Sequence, residues 1–397
     1  MPAPVPAFLR LFLRPDPTPL AGGGRDLRID LARGLALVFI FLNHIPDNIA
    51  SWVSNRNWGF SDATEIFVFV SGYSAMLAYG SIMQKSGFAR ATASVLRRVW
   101  QIYLAHLILF IFFVAQIAYV SANFDNPMFA EEMNVGPLLE RPDVILLQAV
   151  LLRFKPVNMD VLPLYIVLLA AFPAILWAML RAPFAALLGT ILLYVVARRF
   201  DWNLPAYPEG GWFFNPFAWQ ILFVLGAYCA VTRGHGFWRR LQPATVGGLA
   251  AIYLVFAFAI VLTWHHPPLT AFVPAWLNAW LYPIDKTGLD TLRLAHFLAT
   301  AYLTVLLVPP GAKWLRHRAL TPLMLCGRQS LHVFCVGVFL SFAAHFVLTV
   351  NGSTNIAEIL VSLLGIIIMI GVAALVDWYK LSEKGPVTAV AVRGGAE

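Results

Sequence analysis

The chain has 397 residues, of which 60% are hydrophobic and only 12% charged. A soluble globule carries roughly 25% charged residues, so this composition excludes a water-soluble fold of that size. The formal net charge of +8 suits nucleic acid or anionic lipid until its placement is considered. Its cations flank apolar runs, which points to membrane topology instead.

The first stretch, Met1 to Arg25, is broken by Arg10, Arg14 and Asp16 and has no uninterrupted apolar region. It reads as a cytoplasmic lead-in rich in Pro and Gly rather than a cleaved signal peptide. A membrane domain over 26–380 and a cytoplasmic tail over 381–397 follow. Crossing a bilayer takes about 20 apolar residues. Ten windows fit: 31–51, 63–83, 96–120, 161–180, 183–200, 216–232, 244–264, 291–309, 327–350 and 357–379. The expected fold is therefore all-α and polytopic, with ten transmembrane helices. Residues 144–154 are apolar but too few to span, and predict an interfacial or re-entrant helix in an outer loop.

With both termini cytoplasmic, every inner segment carries at least one Lys or Arg, and the longer outer loops carry fewer in all. That is the positive-inside pattern. The outer loops are rich in tryptophan: Trp52, Trp58, Trp202, Trp212, Trp276 and Trp280. Such residues form interfacial belts, and some of them suit stacking against a sugar. Cys229, Cys326 and Cys335 sit in or beside apolar spans without a CxxC pair, and read as packing residues.

Ionisable groups inside spans are costly, about 2.5–3.5 kcal/mol each on insertion scales, and mark candidate sites. On the first span Arg33 and His44 are separated by close to three helical turns, so they share a face with a rise of about 16 Å between them. Asp30 lies below them on that stripe and Asp47 above. Snorkelling explains Arg33 alone, and a satisfied core histidine explains His44 alone; together they point to function. The second span opens Ser61-Asp62-Ala63-Thr64-Glu65. Ser61 or Asp62 suits an N-cap, which leaves Glu65 a turn deeper without that explanation. Glu65 is expected near the depth of His44, where a carboxylate would fix the imidazole tautomer.

A third group, Asp285, Lys286, Asp290, Arg293 and His296, opens the eighth span from outside, with Arg293 and His296 neighbours on one face. A fourth, Arg328 to His332, opens the ninth from inside and with Arg97 and Arg98 suits phosphate groups or plain anchoring. Adjacent His265 and His266 cannot readily both face one ion, so no metal site is expected. No Walker, Rossmann or GxSxG pattern occurs. The lack of a visible inverted repeat counts against a transporter.

Arg33, ten intervening residues and His44 resemble the signature of the membrane acyltransferase-3 group. The fuller run through Asp30-Leu31-Ala32-Arg33-Gly34, His44-Ile45-Pro46, Gly59 to Glu65, Asn215 to Gln220 and Gly327 to Leu331 resembles the OpgC family. That resemblance covers about Arg25 to Lys380. It implies O-succinylation of osmoregulated periplasmic glucans at the bacterial inner membrane, with succinyl-CoA as donor substrate and no permanently bound cofactor. The family's essential histidine maps onto His44 and its arginine onto Arg33. On this reading the pantetheine arm of CoA runs up the first helix from a cytoplasmic mouth. His44 acts as general base, Glu65 or Asp62 orients it, and Arg33 with Arg328, Arg97 and Arg98 holds the donor. Arg293 or Lys286 suits the succinyl carboxylate, and His296, Asp47 and Trp212 complete the acyl- and acceptor-binding set. The partners implied are acyl-CoA, a glucan oligosaccharide and lipid. Readings that remain open are acetyl transfer to another envelope glycan, and a transporter or flippase.

Overall fold

Proline and polar side chains start the helices of this chain. A computed structural model describes residues 26–124, 128–232 and 243–383. The lead-in over 1–25, the Arg233–Arg240 segment and the end of the tail lie outside the described residues. Among the described residues the elements are helical, apart from one isolated bridge between Pro205 and Gly211. In chain order they are α1 (Leu27–Asn43), α2 (Ala63–Asn123), α3 (Met128–Glu132), α4 (Gly136–Glu140), α5 (Pro142–Val150), α6 (Val161–Arg181) and α7 (Pro183–Arg199). Then follow α8 (Pro216–Val231), α9 (Pro243–His265), α10 (Ala275–Leu281), α11 (Thr291–Leu307), α12 (Thr321–Arg328), α13 (Ser330–Asn351) and α14 (Asn355–Glu383). Proline in the first turn opens α5, α7 and α8, where its missing N–H costs nothing. Asp26, Asp62, Asn215 and Asp290 cap α1, α2, α8 and α11 through side-chain oxygens.

Five of these helices, α2, α6, α9, α13 and α14, are long and apolar enough to cross a membrane. The protein is membrane-embedded. Each expected window falls on a helix, and α2 carries two of them. At 61 residues a straight α2 would run about 90 Å, some three times the hydrocarbon thickness. It bends at Gly87, whose φ of 80° is left-handed backbone that glycine adopts freely. The short helix expected near 144–154 is α5, with Ile145 and Ala149 buried and Leu146, Leu147 and Val150 exposed. The helices α3, α4 and α10, which hydropathy did not single out, are too brief to leave a periodic signal.

The first window needs a correction. It extended to residue 51, but α1 ends at Asn43 and His44 is its C-cap. Proline disfavours helical backbone at the residue before it, here Ile45, and has no N–H to continue the ladder. Asp47 then turns with φ 49°.

The described residues divide into two compact units, one within 53–309 and the other of 26–52 with 310–383. In the first, α2 crosses α8 at bare backbone. A Cβ on Gly72 would lie 1.9 Å from the Phe223 carbonyl oxygen, and one on Gly226 would lie 2.1 Å from that of Phe69. In the second, α1 meets α12 the same way. A Cβ on Gly34 would sit 1.9 Å from the Leu323 oxygen, and one on Gly327 would sit 2.0 Å from that of Asp30. Small residues permit such close helix contact in membranes. The obstructing atoms are backbone and cannot rotate away. Gly34→Ala should therefore push α1 off α12 and cost about 1–3 kcal/mol, read as a lower melting temperature in detergent. An unchanged melting temperature would mean that the two helices do not pack this closely.

Candidate active site

The polar groups at the start of α2 and α11 meet. Asp62 caps α2 by accepting the Thr64 N–H at 2.8 Å, and Glu65 reaches back to accept the Asp62 N–H at 2.9 Å. This is a capping box. Capping therefore does involve Glu65, contrary to the sequence expectation. The other Glu65 oxygen, Oε1, accepts from Arg293 Nε at 2.9 Å and Nη2 at 2.6 Å. Arg293 Nη2 also lies 3.3 Å from Asp62 Oδ2, and Lys286 Nζ donates to that oxygen at 2.5 Å.

Two acids and two cations thus close on themselves. Glu65 is fully buried, and Asp62 and Arg293 nearly so. Buried charges persist when paired and hydrogen-bonded. Burial alone would raise the Asp62 carboxyl, but Lys286 and Arg293 more than reverse this and hold it well below the usual carboxylate range. The two cations expected to receive an acyl carboxylate are already balanced within this group.

His296 joins the same corner. Its Nδ1 accepts the Ser61 N–H at 3.3 Å and lies 2.7 Å from Ser61 Oγ. In the neutral ring that leaves the proton on Nε2. The ring packs against Phe60 and Tyr253. Gly59 makes room for it, since a Cβ there would lie 2.0 Å from Nε2.

The Asn215 to Gln220 motif anchors the loop that bears Lys286. Asn215 caps α8 through the Phe217 N–H, and its own N–H donates to the Thr287 carbonyl at 3.1 Å. The buried Trp219 indole N–H reaches the Lys286 and Thr287 carbonyls at 3.0 and 3.1 Å. Asp285 accepts the Thr287 and Gly288 N–H groups, and Asp290, capping α11, takes Arg198 at 2.7 Å. Sequence reasoning missed Trp219 and Arg198 as supports of this loop. Their partners lie far along the chain, and no local signal joins them.

The second unit holds Arg33, His44, Asp47 and Arg328. Arg33 and His44 are half-buried, on the body and at the C-terminal end of α1, and Asp47 is exposed. Arg328 lies 3.6 Å from the buried Asp30. The turn after His44 is tied down by α14: Asn48 Nδ2 donates to Ser362 Oγ at 3.0 Å, and the Ile49 N–H donates to Glu358 at 2.7 Å. Ser353 donates to the other Glu358 oxygen at 2.6 Å. Glu358 was overlooked, although an acid one turn into an apolar span is itself a signal. Gln329, in the Gly327 to Leu331 motif, bridges Asp377 and Lys380.

Arg97 is exposed on α2, and the half-buried Arg98 donates to Gln101 at 3.2 Å. Among the tryptophans, Trp52, Trp58, Trp202, Trp276 and Trp280 are exposed, as a belt requires. Trp212 differs. It is only 4% exposed, and the Lys155 ammonium covers its ring face at 4.0 Å.

No curated protein and no solved structure matches this chain. The family model described as OpgC protein does match, over residues 25–381 and so across both compact units, and the chain belongs to that family.

Proposed function

We propose that the chain is a membrane acyltransferase that moves a succinyl group from cytoplasmic succinyl-CoA to hydroxyls of periplasmic glucans. It would work as a multi-pass protein of the bacterial inner membrane, with ten spans and both termini cytoplasmic. Family membership points to acyl transfer, and one feature of the geometry carries the reading furthest. Arg33 and His44 are borne by a single helix, and His44 stands at its carbonyl end.

In the proposed reaction His44 takes the proton of a glucosyl hydroxyl as its oxygen attacks the thioester carbonyl. The tetrahedral intermediate collapses, the C–S bond breaks, and the CoA thiolate recovers the proton from His44. The products are a glucan half-ester and free CoA. The carbonyl end of α1 favours a group that becomes cationic as it works. Arg33 and Arg328, with Arg97 and Arg98, are the proposed donor-binding cations, because phosphates favour arginine forks. Asp47, His296 and Trp212 are the proposed acyl- or acceptor-side groups. Asp62, Glu65, Lys286 and Arg293 are proposed to act as a group that holds the starts of α2 and α11 together and so positions His296.

The test uses inside-out vesicles loaded with glucan and supplied with labelled CoA esters outside. Label should reach the enclosed glucan from succinyl-CoA faster than from acetyl-CoA, with one CoA released per ester formed. Preference for acetyl-CoA would reassign the acyl group. Glucan movement without thioester consumption would favour a transporter and overturn the reading.

A further inference from the structure

Lys155 differs from the cations grouped at the start of α11. It lies on the turn between α5 and α6, half-buried, and among the described residues no carboxylate comes within ion-pair distance of it. Arg198, Lys286 and Arg293 all have one. One Lys155 N–H donates to the Leu152 carbonyl at 3.1 Å, and the ammonium sits 4.0 Å above the Trp212 ring. Only the first of these contacts is a hydrogen bond, so the ammonium keeps donor capacity beyond it.

Trp212 is 4% exposed, and among the described residues its indole N–H has no acceptor. A buried donor without a partner costs about 1–3 kcal/mol, so it calls for an acceptor. Because Nε1 is an atom of the ring that Lys155 covers, the ammonium and the unpartnered indole N–H are close neighbours.

The turn is held rigidly. Leu152 and Asn158 have left-handed φ of 60° and 71°. The Arg153 and Phe154 N–H groups return to the Gln148 carbonyl, the Val157 N–H reaches Met133, and the Tyr207 N–H reaches Arg153. On the far side, Trp212 is fixed because its N–H donates to the Leu204 carbonyl and its carbonyl accepts from Asn203. The donors are therefore preorganised by bonds to the end of α5, to Met133 and to the 203–207 loop. Burial pushes the Lys155 ammonium down to about 8, against the pull of Asp160. Asp160 is itself raised to about 6 by burial, with Lys155 opposing. A cation so placed gains most from an added anion at short range.

We propose that Lys155 and the Trp212 indole N–H form a receptor for the free carboxylate of a four-carbon diacid monoester. The inference rests on the proposed succinyl transfer and extends it, naming residues that set acyl specificity in place of the self-neutralised Arg293 and Lys286. Two carboxylate oxygens match two donors, whereas an acetyl group has nothing to offer them. The same carboxylate arrives either on the CoA thioester or on the esterified glucan.

The full chain in nanodiscs provides the test, comparing wild type with Lys155→Met, which keeps the apolar stem, and Trp212→Phe, which removes the N–H but keeps a ring. In Lys155→Met the preference for succinyl-CoA over acetyl-CoA, as a ratio of kcat/KM values, should fall by roughly 10–100-fold, the worth of one charge-assisted hydrogen bond. Trp212→Phe should lower it less. An unchanged ratio combined with weaker inhibition by succinylated glucan assigns the receptor to the product. If ratio and product inhibition are both unchanged in both variants, the receptor is overturned.

A second readout needs no turnover. Succinate, but not neutral succinamide, should raise the melting temperature of the wild type and not of Lys155→Met. That shift in a protein that transfers no acyl group would uphold the receptor and sink the transferase reading. An equal shift in wild type and Lys155→Met would sink the receptor.

Discussion

Replacing His44 with alanine should lower succinyl transfer by about 10²–10⁴-fold, the usual contribution of a positioned general base, while CoA binding survives. The separation of effects follows from where the residue stands. His44 is the C-cap of α1, its N–H closing bonds to the Ile40 and Phe41 carbonyls. Alanine keeps that N–H, and the helix still ends there because Pro46 and the left-handed Asp47 follow. The turn beyond remains pinned by Asn48 to Ser362 and by Ile49 to Glu358. The fold around the site should thus be kept while the imidazole is lost. Labelled succinate on isolated glucan measures the first quantity, and equilibrium binding of CoA to the purified variant measures the second. Wild-type transfer by His44→Ala would remove the proposed base. Loss of transfer and CoA binding together would place His44 in donor binding instead.

Much of this architecture was legible in the sequence because membrane insertion is governed by one dominant quantity. Each hydropathy window falls on a helix, including both limbs of α2. The end of α1 was legible too, in Pro46, but counting apolar residues carried the window past it. The capping box was present as Asp62 and Glu65 three apart, a local pattern. What no local pattern contains is the partner of Glu65. That carboxylate needed a counter-charge or a proton at the outset, since a buried acid does not persist alone. Whether the counter-charge came from Arg293, Lys286 or a histidine depended on how two helix starts 228 residues apart meet. The same holds for Lys155 and Trp212. Lys155 reads as an ordinary loop cation, and Trp212 as a belt or acceptor-side residue with no named partner, until the turn between α5 and α6 and the segment before α8 are brought together.

Arg293→Met should destabilise the protein by about 3–5 kcal/mol, the usual penalty for removing one partner of a buried ion pair. Glu65, fully buried, would keep only the Asp62 N–H, and Asp62 would be left with Lys286 and the Thr64 N–H. Methionine fills much of the arginine's volume, so the loss should come from charge and not from a void. Adding Glu65→Gln should restore part of the stability, because an amide can still accept the Asp62 N–H without a neighbouring cation. Thermal unfolding of the two single variants and the double variant gives the coupling directly, and residues in contact are where additivity fails. The measurement also separates two roles for Arg293. A cation held ready for substrate would leave stability nearly untouched when removed and would raise KM for the charged donor. A cation that neutralises Glu65 lowers the melting temperature first and is rescued by Glu65→Gln. The two Arg293 donors on Glu65 Oε1, at 2.9 and 2.6 Å, favour the second, and they leave Lys155 as the cation proposed to receive the acyl carboxylate.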